Sequence, residues 1–125
     1  MMDETYEHYY NNYGLGRSLI TGGSIYVYDS FVDFYNIHHV RHRDNGPATI
    51  YTNGSTEWLI NGKRHRLDGP AVVWNEDEGP PVWWINGYNV DDEIRSWVNN
   101  VGIDLEDLSD NDKVLIKLVW GDYSG

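Results

Sequence analysis

Between residues 48 and 60 the chain alternates. Ala48-Thr49-Ile50-Tyr51-Thr52 is followed by Asn53-Gly54, and Ser55-Thr56-Glu57-Trp58-Leu59-Ile60 then resumes the pattern. A period of two marks a half-buried strand. Asn-Gly between two such runs predicts a β-hairpin closed by a type I′ turn, in which both central residues take positive φ. Asn61-Gly62 predicts a second reversal into a short extended stretch at 63–66. Leu67-Asp68-Gly69-Pro70 predicts a further turn, where Asp bonds nearby backbone and Gly relieves strain. Val72, Val73 and Trp74 begin the next strand, and residues 82–85 form the one after it. Short strands joined by short turns make an antiparallel meander.

After Asn89 the period changes. Ile94, Trp97, Val98 and Val101 follow the i, i+3, i+4, i+7 spacing of a helix, with Asp91 or Asp92 as N-cap and Gly102 as stop. A second helix is predicted from Ser109, with Asp112 completing a capping box, through Val114, Leu115, Leu118 and Val119 to Gly121. Residues 1–13 carry Tyr6, Tyr9, Tyr10 and Tyr13 without strand alternation, and Gly14, Gly16, Gly22 and Gly23 follow. That predicts loop or edge strand until a strand at 24–28. The fold class is therefore α+β: an antiparallel β-meander of hairpin repeats with a C-terminal pair of α-helices. One compact domain is expected, with a Tyr/Gly-rich segment and edge strand at 1–32, the repeat sheet at 33–90, and an acidic helical tail at 91–125 packed on the sheet.

The meander repeats itself. His42-Arg43-Asp44-Asn45-Gly46-Pro47-Ala48 matches His65-Arg66-Leu67-Asp68-Gly69-Pro70-Ala71, and Trp58-Leu59-Ile60-Asn61-Gly62 matches Trp83-Trp84-Ile85-Asn86-Gly87. A worn earlier copy puts Tyr35 and Ile37 in the places of Trp58 and Ile60. Side chains alternate faces, so Trp58 with Ile60, and Trp83 with Ile85, form a ladder read as core, each cross-strand pair stabilising by roughly 0.2–1 kcal/mol. Trp84 falls on the opposite face.

Composition narrows the chemistry. The chain has 125 residues, 20 acidic against 9 basic, a net charge of −11 and no cysteine. Without Cys there are no disulfides, thiol nucleophiles or Cys-based metal sites. No apolar run approaches the roughly 20 residues that span a bilayer, and residues 1–20 are too polar for a signal peptide. A soluble, cytoplasmic protein is expected, with no membrane partner. The charge disfavours direct binding to nucleic acid, and it is uneven: −4 over residues 1–33, +2 over 34–75 and −9 over 76–125.

The phrase Trp-x-Ile-Asn-Gly-x-x-His-Arg-x-Asp-Gly-Pro-Ala is similar to a short β-repeat of proteins from large tailed phages and giant viruses, and looks like a cousin of the MORN-type β-hairpin repeat. The tail, from Asp91-Asp92-Glu93-Ile94 to Trp97 and again over residues 110–118, resembles the C-terminal extension of such phage proteins. The likeness spans roughly residues 33–120. It implies a β-hairpin repeat fold and a virus-encoded accessory protein of the host cytoplasm, and carries over no catalytic residues. This chain departs from a regular array in having two good copies, and Tyr88-Asn89-Val90-Asp91 where another Lys-Arg-His-Arg would fall.

Nothing in the residues nominates a catalyst, metal or cofactor. His42, Arg43, Gly46 and Pro47, and again His65, Arg66, Asp68, Gly69 and Pro70, read as a turn motif in which Arg or His bonds turn carbonyls or the adjacent carboxylate. A basic ridge for phosphate or acidic side chains is the alternative. His38-His39-x-x-His42 lacks the ligands of a tetrahedral metal set. Glu76, Asp77, Glu78 and the acids between Asp104 and Asp112 read as solvated, Gly14-x-Gly16 opens no phosphate loop, and the glycosylation pattern at Asn53-Gly54-Ser55 is accidental. The expected class is a non-catalytic protein, monomeric or homodimeric, that binds and inhibits or redirects a host protein. Its nominated contact residues are Trp84, Trp74, Tyr51, Arg64, Arg66, Glu76, Asp77 and Glu78, since Trp, Tyr and Arg dominate interface energies. The other readings are an acidic nucleic-acid mimic that blocks a host DNA- or RNA-binding factor, a virion component, or an enzyme with a deep pocket at His42 or His65.

Overall fold

The computed structural model describes residues 4–75 and 77–125. Its first element is a helix, α1 (Tyr6–Tyr13), opened by the Thr5 hydroxyl, which accepts a hydrogen bond from the His8 N–H at 3.2 Å. This corrects the expectation of loop or edge strand for residues 6–13, whereas an edge strand does follow at 16–20. The four tyrosines are spaced i, i+3, i+4, i+7, and the helix uses that stripe to seat Tyr9 edge-on against Phe34 at 5.3 Å. Residues 1–3 of that expectation lie outside the described residues.

The sheet follows. β1 (Gly16–Ile20), β2 (Gly23–Val27), β3 (Phe31–Asn36), β4 (Thr49–Tyr51), β5 (Thr56–Glu57) and β8 (Val72–Val73) form one six-stranded antiparallel sheet in the order β1-β2-β3-β4-β5-β8. Two small hairpins stand apart from it: β6 (Leu59–Ile60) with β7 (Lys63–Arg64), and β9 (Trp84–Ile85) with β10 (Tyr88–Asn89). Two helices complete the α+β fold, α2 (Asp91–Val101) and α3 (Asp110–Trp120).

Turn chemistry places the reversals, with one exchange of roles. Asn61 and Gly62 have φ of 49° and 80°, and Asn86 and Gly87 have 51° and 86°, so these pairs form the type I′ turns. At Asn53-Gly54 only the glycine has positive φ. The Gly54 N–H bonds the Tyr51 carbonyl at 3.1 Å, and the Tyr51 N–H bonds the Ser55 carbonyl at 2.9 Å. That hairpin is closed by a three-residue loop with a left-handed glycine.

The repeat is visible in backbone bonds. The His42 N–H reaches the Phe34 carbonyl, the His65 N–H that of Trp58, and the Val90 N–H that of Trp83. Phe34, and not Tyr35, therefore holds the place of Trp58. Five residues separate the paired Tyr35 and Arg41, against four between Leu59 and Arg64, and this extra residue slips the worn copy by one. Ile37 falls in the longer loop and is exposed.

The ladder is thus Phe34, Trp58, Trp83, and its burial depends on what covers each rung. Phe34 lies under α1, in a cluster with Tyr9, Ile25, Val27, Val32 and Ile50. Trp83 and Ile85 lie under α2 and α3, with Val90, Ile94, Val98 and Ile116. Between them Trp58 and Ile60 are only half-buried and line an open cleft beside α3, which corrects the reading of a continuous core ladder. The first core packs on the six-stranded sheet, and the second lies between the β9–β10 hairpin and the two C-terminal helices.

In the third unit Asp91 replaces the repeat arginine. Its carboxylate accepts from the Trp83 N–H at 3.0 Å and from Arg95 Nε at 2.9 Å, so it is the first helical residue and not the N-cap; Val90 takes that position without a side-chain bond. α3 begins as expected, with the Ser109–Asp112 capping box, yet it docks through Ile116.

Candidate interaction surface

The turn motif is built twice with the same bonds. His42 Nδ1 accepts the Asn61 N–H at 2.9 Å, and His65 Nδ1 accepts the Asn86 N–H at 2.9 Å. Accepting at Nδ1 puts the neutral ring's proton on Nε2, from which His42 donates to Asp44 at 2.9 Å. Arg43 and Arg66 each donate from Nη1 to a turn carbonyl, of Pro47 and Pro70, at 3.2 Å. Their guanidinium planes lie over rungs of the ladder, 4.1 Å from the Phe34 centroid and 3.8 Å from that of Trp58. Gly46 and Gly69 leave room for them, since a Cβ at either would come within 2.7 Å of the guanidinium carbon. Arg43 further binds both carboxylate oxygens of Glu4, at 2.6 and 3.0 Å, and Arg66 Nε binds Asp68 at 2.8 Å. Among the predicted contact residues, Arg66 is thereby engaged inside its own turn.

A second group, which the sequence reading missed, lies at buried carboxylates on the sheet. Glu57 Oε1 accepts from Arg64 at 3.0 and 2.7 Å, and Oε2 accepts from the Tyr51 hydroxyl at 2.8 Å. Arg41 reaches Thr49 at 3.0 Å, and Thr49 donates to Asp33 at 2.6 Å. Tyr35 donates to the other Asp33 oxygen at 2.9 Å. Burial, then the bond to Glu57, pushes the Tyr51 phenol up to about 12; burial raises Tyr35 as well. Three predicted contact residues meet here, because the Arg64 guanidinium also stands 4.9 Å from the ring centroid of half-buried Trp84. The fixed geometry is a polar seam that ties β3, β4, β5 and β7 together. The alternating strand pattern hints at it only as acids, Asp33 and Glu57, at strand positions.

The remaining predicted residues scatter. Trp74 is half-buried beside the loop of Asn53, with exposed Asp77 nearby, and Glu78 accepts from Asn53 Nδ2 at 3.4 Å. Glu76 lies outside the described residues. His38 and His39 are exposed, and the His39 ring stacks on Tyr35 at 4.6 Å. Among the described residues no group of three or more His, Asp or Glu is placed to hold a metal ion. No described helix is long and apolar enough to cross a membrane.

Two open clefts flank the turn motifs. One, of about 670 Å³, lies between α1 and the first motif, lined by Tyr9, Tyr13, Phe34, His42 and Arg43. The other, of about 620 Å³, lies between α3 and the second motif, lined by Trp58, Ile60, His65, Arg66, Lys113, Val114 and Lys117. Burial holds the His65 imidazole below its ordinary value, so it is neutral at pH 7. Lys113 and Lys117 are in no ion pair with a described residue.

Beyond this cleft the outer face of α3 is apolar. Leu118 is 77% exposed, Val114 57%, Val119 51% and Leu115 39%. These are the residues the helical spacing had marked as the helix's packing stripe. α3 is apolar on nearly every side, and the core around Trp83, Ile85 and Ile94 accepted Ile116 instead. Val114 joins the two regions, making one surface from Trp58 and Ile60 across the cleft to Leu118. Comparison with protein families, with curated proteins and with solved structures gives no match.

Proposed function

We propose that this chain is a non-catalytic interaction protein, virus-encoded and acting in the host cytoplasm, that binds and inhibits or redirects a host protein. The observation that carries the reading is the outer face of α3, where Val114, Leu115, Leu118 and Val119 stand in solvent on a helix whose buried side is already filled. Clusters of exposed apolar side chains on a soluble surface mark contact sites. The adjoining cleft supplies what a contact needs at its centre, a half-buried aromatic floor at Trp58. Lys113 and Lys117 at its rim favour a partner whose apolar anchor is flanked by carboxylates.

The test is capture from host lysate with the full chain and with a Val114→Asp/Leu118→Asp variant. Both substituted residues are exposed, so the variant keeps the wild-type melting temperature within a few degrees. It loses the captured protein, which the wild type holds at high salt. Retention by the variant, with loss at high salt, would instead favour nucleic-acid mimicry by exposed Glu106, Asp107 and Asp110. Recovery of the chain in purified virus particles would favour the virion reading.

A further inference from the structure

The sheet is closed at one end and open at the other. At the far end Val82 bridges Val72 of β8, with N–H···O bonds in both directions at 3.2 and 2.9 Å. At the near end β1 pairs only with β2, and among the described residues nothing pairs with its outer edge.

The groups on that edge follow from the ladder. The Phe34 N–H bonds the Ala48 carbonyl, so Phe34 points its peptide groups toward β4, and its neighbours Asp33 and Tyr35 point theirs toward β2. Their partners Tyr26 and Ser24 face back, which leaves Gly23, Ile25 and Val27 facing β1. Opposite those stand Ile20, Ser18 and Gly16. The outward N–H and C=O groups of β1 therefore belong to Arg17 and Leu19. Both side chains are exposed, Leu19 by 78%.

Natural edge strands are blunted by short length, proline, charged side chains, a bulge or a cover, and of these charges β1 carries one, Arg17. β1 has no proline, and its register with β2 is unbroken. Its sequence is also self-complementary in one register. A two-fold axis through Ser18 sets Arg17 against Leu19 of a second copy, and both pairs then exchange N–H···O bonds. Ser18 meets Ser18, and Ile20 meets the open space at Gly16, where an added Cβ would find nothing within 4 Å. The Arg17 stem covers exposed Leu19, with the charge left in water. An axis through Arg17 also points matching groups at each other, but it sets Arg17 on Arg17, which like-charge repulsion disfavours.

We propose that two copies of this chain associate through antiparallel β1–β1 pairing centred on Ser18, joining their six-stranded sheets into one. The contact is small, so the dimer is weak and concentration-dependent. Each copy carries −11, so added salt strengthens it by screening. The surface is separate from α3 and stands or falls independently of it.

The chain has no native cysteine, which makes the register testable in the full-length protein. A non-hydrogen-bonded antiparallel pair brings Cα atoms to about 4.5 Å, within disulfide reach. Under mild oxidation Ser18→Cys should give disulfide-linked dimer at least tenfold faster than Leu19→Cys. Sedimentation equilibrium should show wild-type dimer growing with protein concentration and with salt. Leu19→Pro, which removes an outward N–H that β2 does not use, should be monomeric with an unchanged circular dichroism spectrum. Equal cross-linking of the two cysteine variants, or a wild type monomeric up to millimolar concentration, overturns the proposal. If Leu19→Pro fails to fold, the cross-linking comparison decides alone.

Discussion

Gly46 and Gly69 provide room, not unusual backbone angles; each leaves space for an arginine to lie over an aromatic ring. Gly69→Ala should displace Arg66 from Pro70 and Trp58, at about 1–2 kcal/mol, the loss of a charge-assisted bond and a stacking contact. Gly23→Ala should cost more, because its Cβ would collide with the Tyr35 carbonyl, which cannot swing away without opening β2 from β3. Urea denaturation of the two variants side by side checks the order. Glu57 is a harder test of the polar seam. Glu57→Ala leaves Arg64 and Tyr51 without their acceptor and should destabilise by about 1–3 kcal/mol, with Glu57→Gln well below that. The raised Tyr51 phenol favours the protonated form in the folded state. Its contribution to stability is therefore whole below pH 10 and is lost as pH rises toward about 12. Tyr51→Phe should flatten that alkaline loss in denaturation series run across the range. His65 behaves in the opposite sense. Burial lowers its value, so stability is full above the unfolded value of about 6.5 and falls as pH drops through the folded one. An NMR titration of the His65 ring should therefore show it midway below the ordinary imidazole value of about 6.5.

At the scale of elements, α3 is held by one end and one side. Its N-terminus has both bonds of the capping box, at 3.0 Å each, and its inner side has Ile116. Ser109→Ala should cost about 1 kcal/mol, and Ile116→Ala about 2–5 kcal/mol, while Leu118→Ala should leave the melting temperature within a degree or two. Thermal melts of the three variants distinguish this placement from one in which Leu118 packs inside. The two hairpins show how local code and context divide. Asn61-Gly62 and Asn86-Gly87 form the same turn with nearly the same angles, yet Lys63-Arg64 returns the chain to another repeat and Tyr88-Asn89 leads into α2. The difference lies at Arg66 against Asp91. An arginine folds back onto its own turn, whereas Asp91 binds the Trp83 N–H and the Arg95 guanidinium from the first turn of a helix.

The whole molecule is two apolar clusters, one on the six-stranded sheet and one between the β9–β10 hairpin and the C-terminal helices, with half-buried Trp58 between them. All six tryptophans lie at position 58 or beyond, and most of the tyrosines lie before it. Three of the tryptophans, Trp83, Trp97 and Trp120, belong to the second cluster and weight tryptophan fluorescence toward it, while Ile25 belongs to the first. Because backbone bonds join the two regions, from the Trp58 N–H to the Ala71 carbonyl and in both directions between Val72 and Val82, unfolding should be a single transition. Ile25→Ala should shift the urea midpoint by the same amount whether followed by tryptophan fluorescence or by far-UV circular dichroism. Two separated midpoints would mean that the clusters unfold independently.

Chain-local information settled a good deal of this protein: the repeat, the hairpin at Asn53-Gly54 and the reversal at Asn61-Gly62 (though not which of the Asn-Gly pairs takes the type I′ form), the α3 capping box and the antiparallel α+β plan. Each depends on residues within a few positions of one another, where φ preferences and side-chain-to-backbone bonds act directly. Tertiary structure alone decided the rest. α1 was missed because its tyrosine stripe has no meaning until Phe34 stands beneath it. Trp58 and Trp83 occupy the same place in the repeat, and only the packing of α2 and α3 buries one and leaves the other at a cleft. Val114, Leu115, Leu118, Val119 and Ile116 are alike in hydropathy, and a helix apolar on nearly every side does not encode which residue faces the core. That choice belongs to the shape of the surface it meets, and it left the apolar face in solvent.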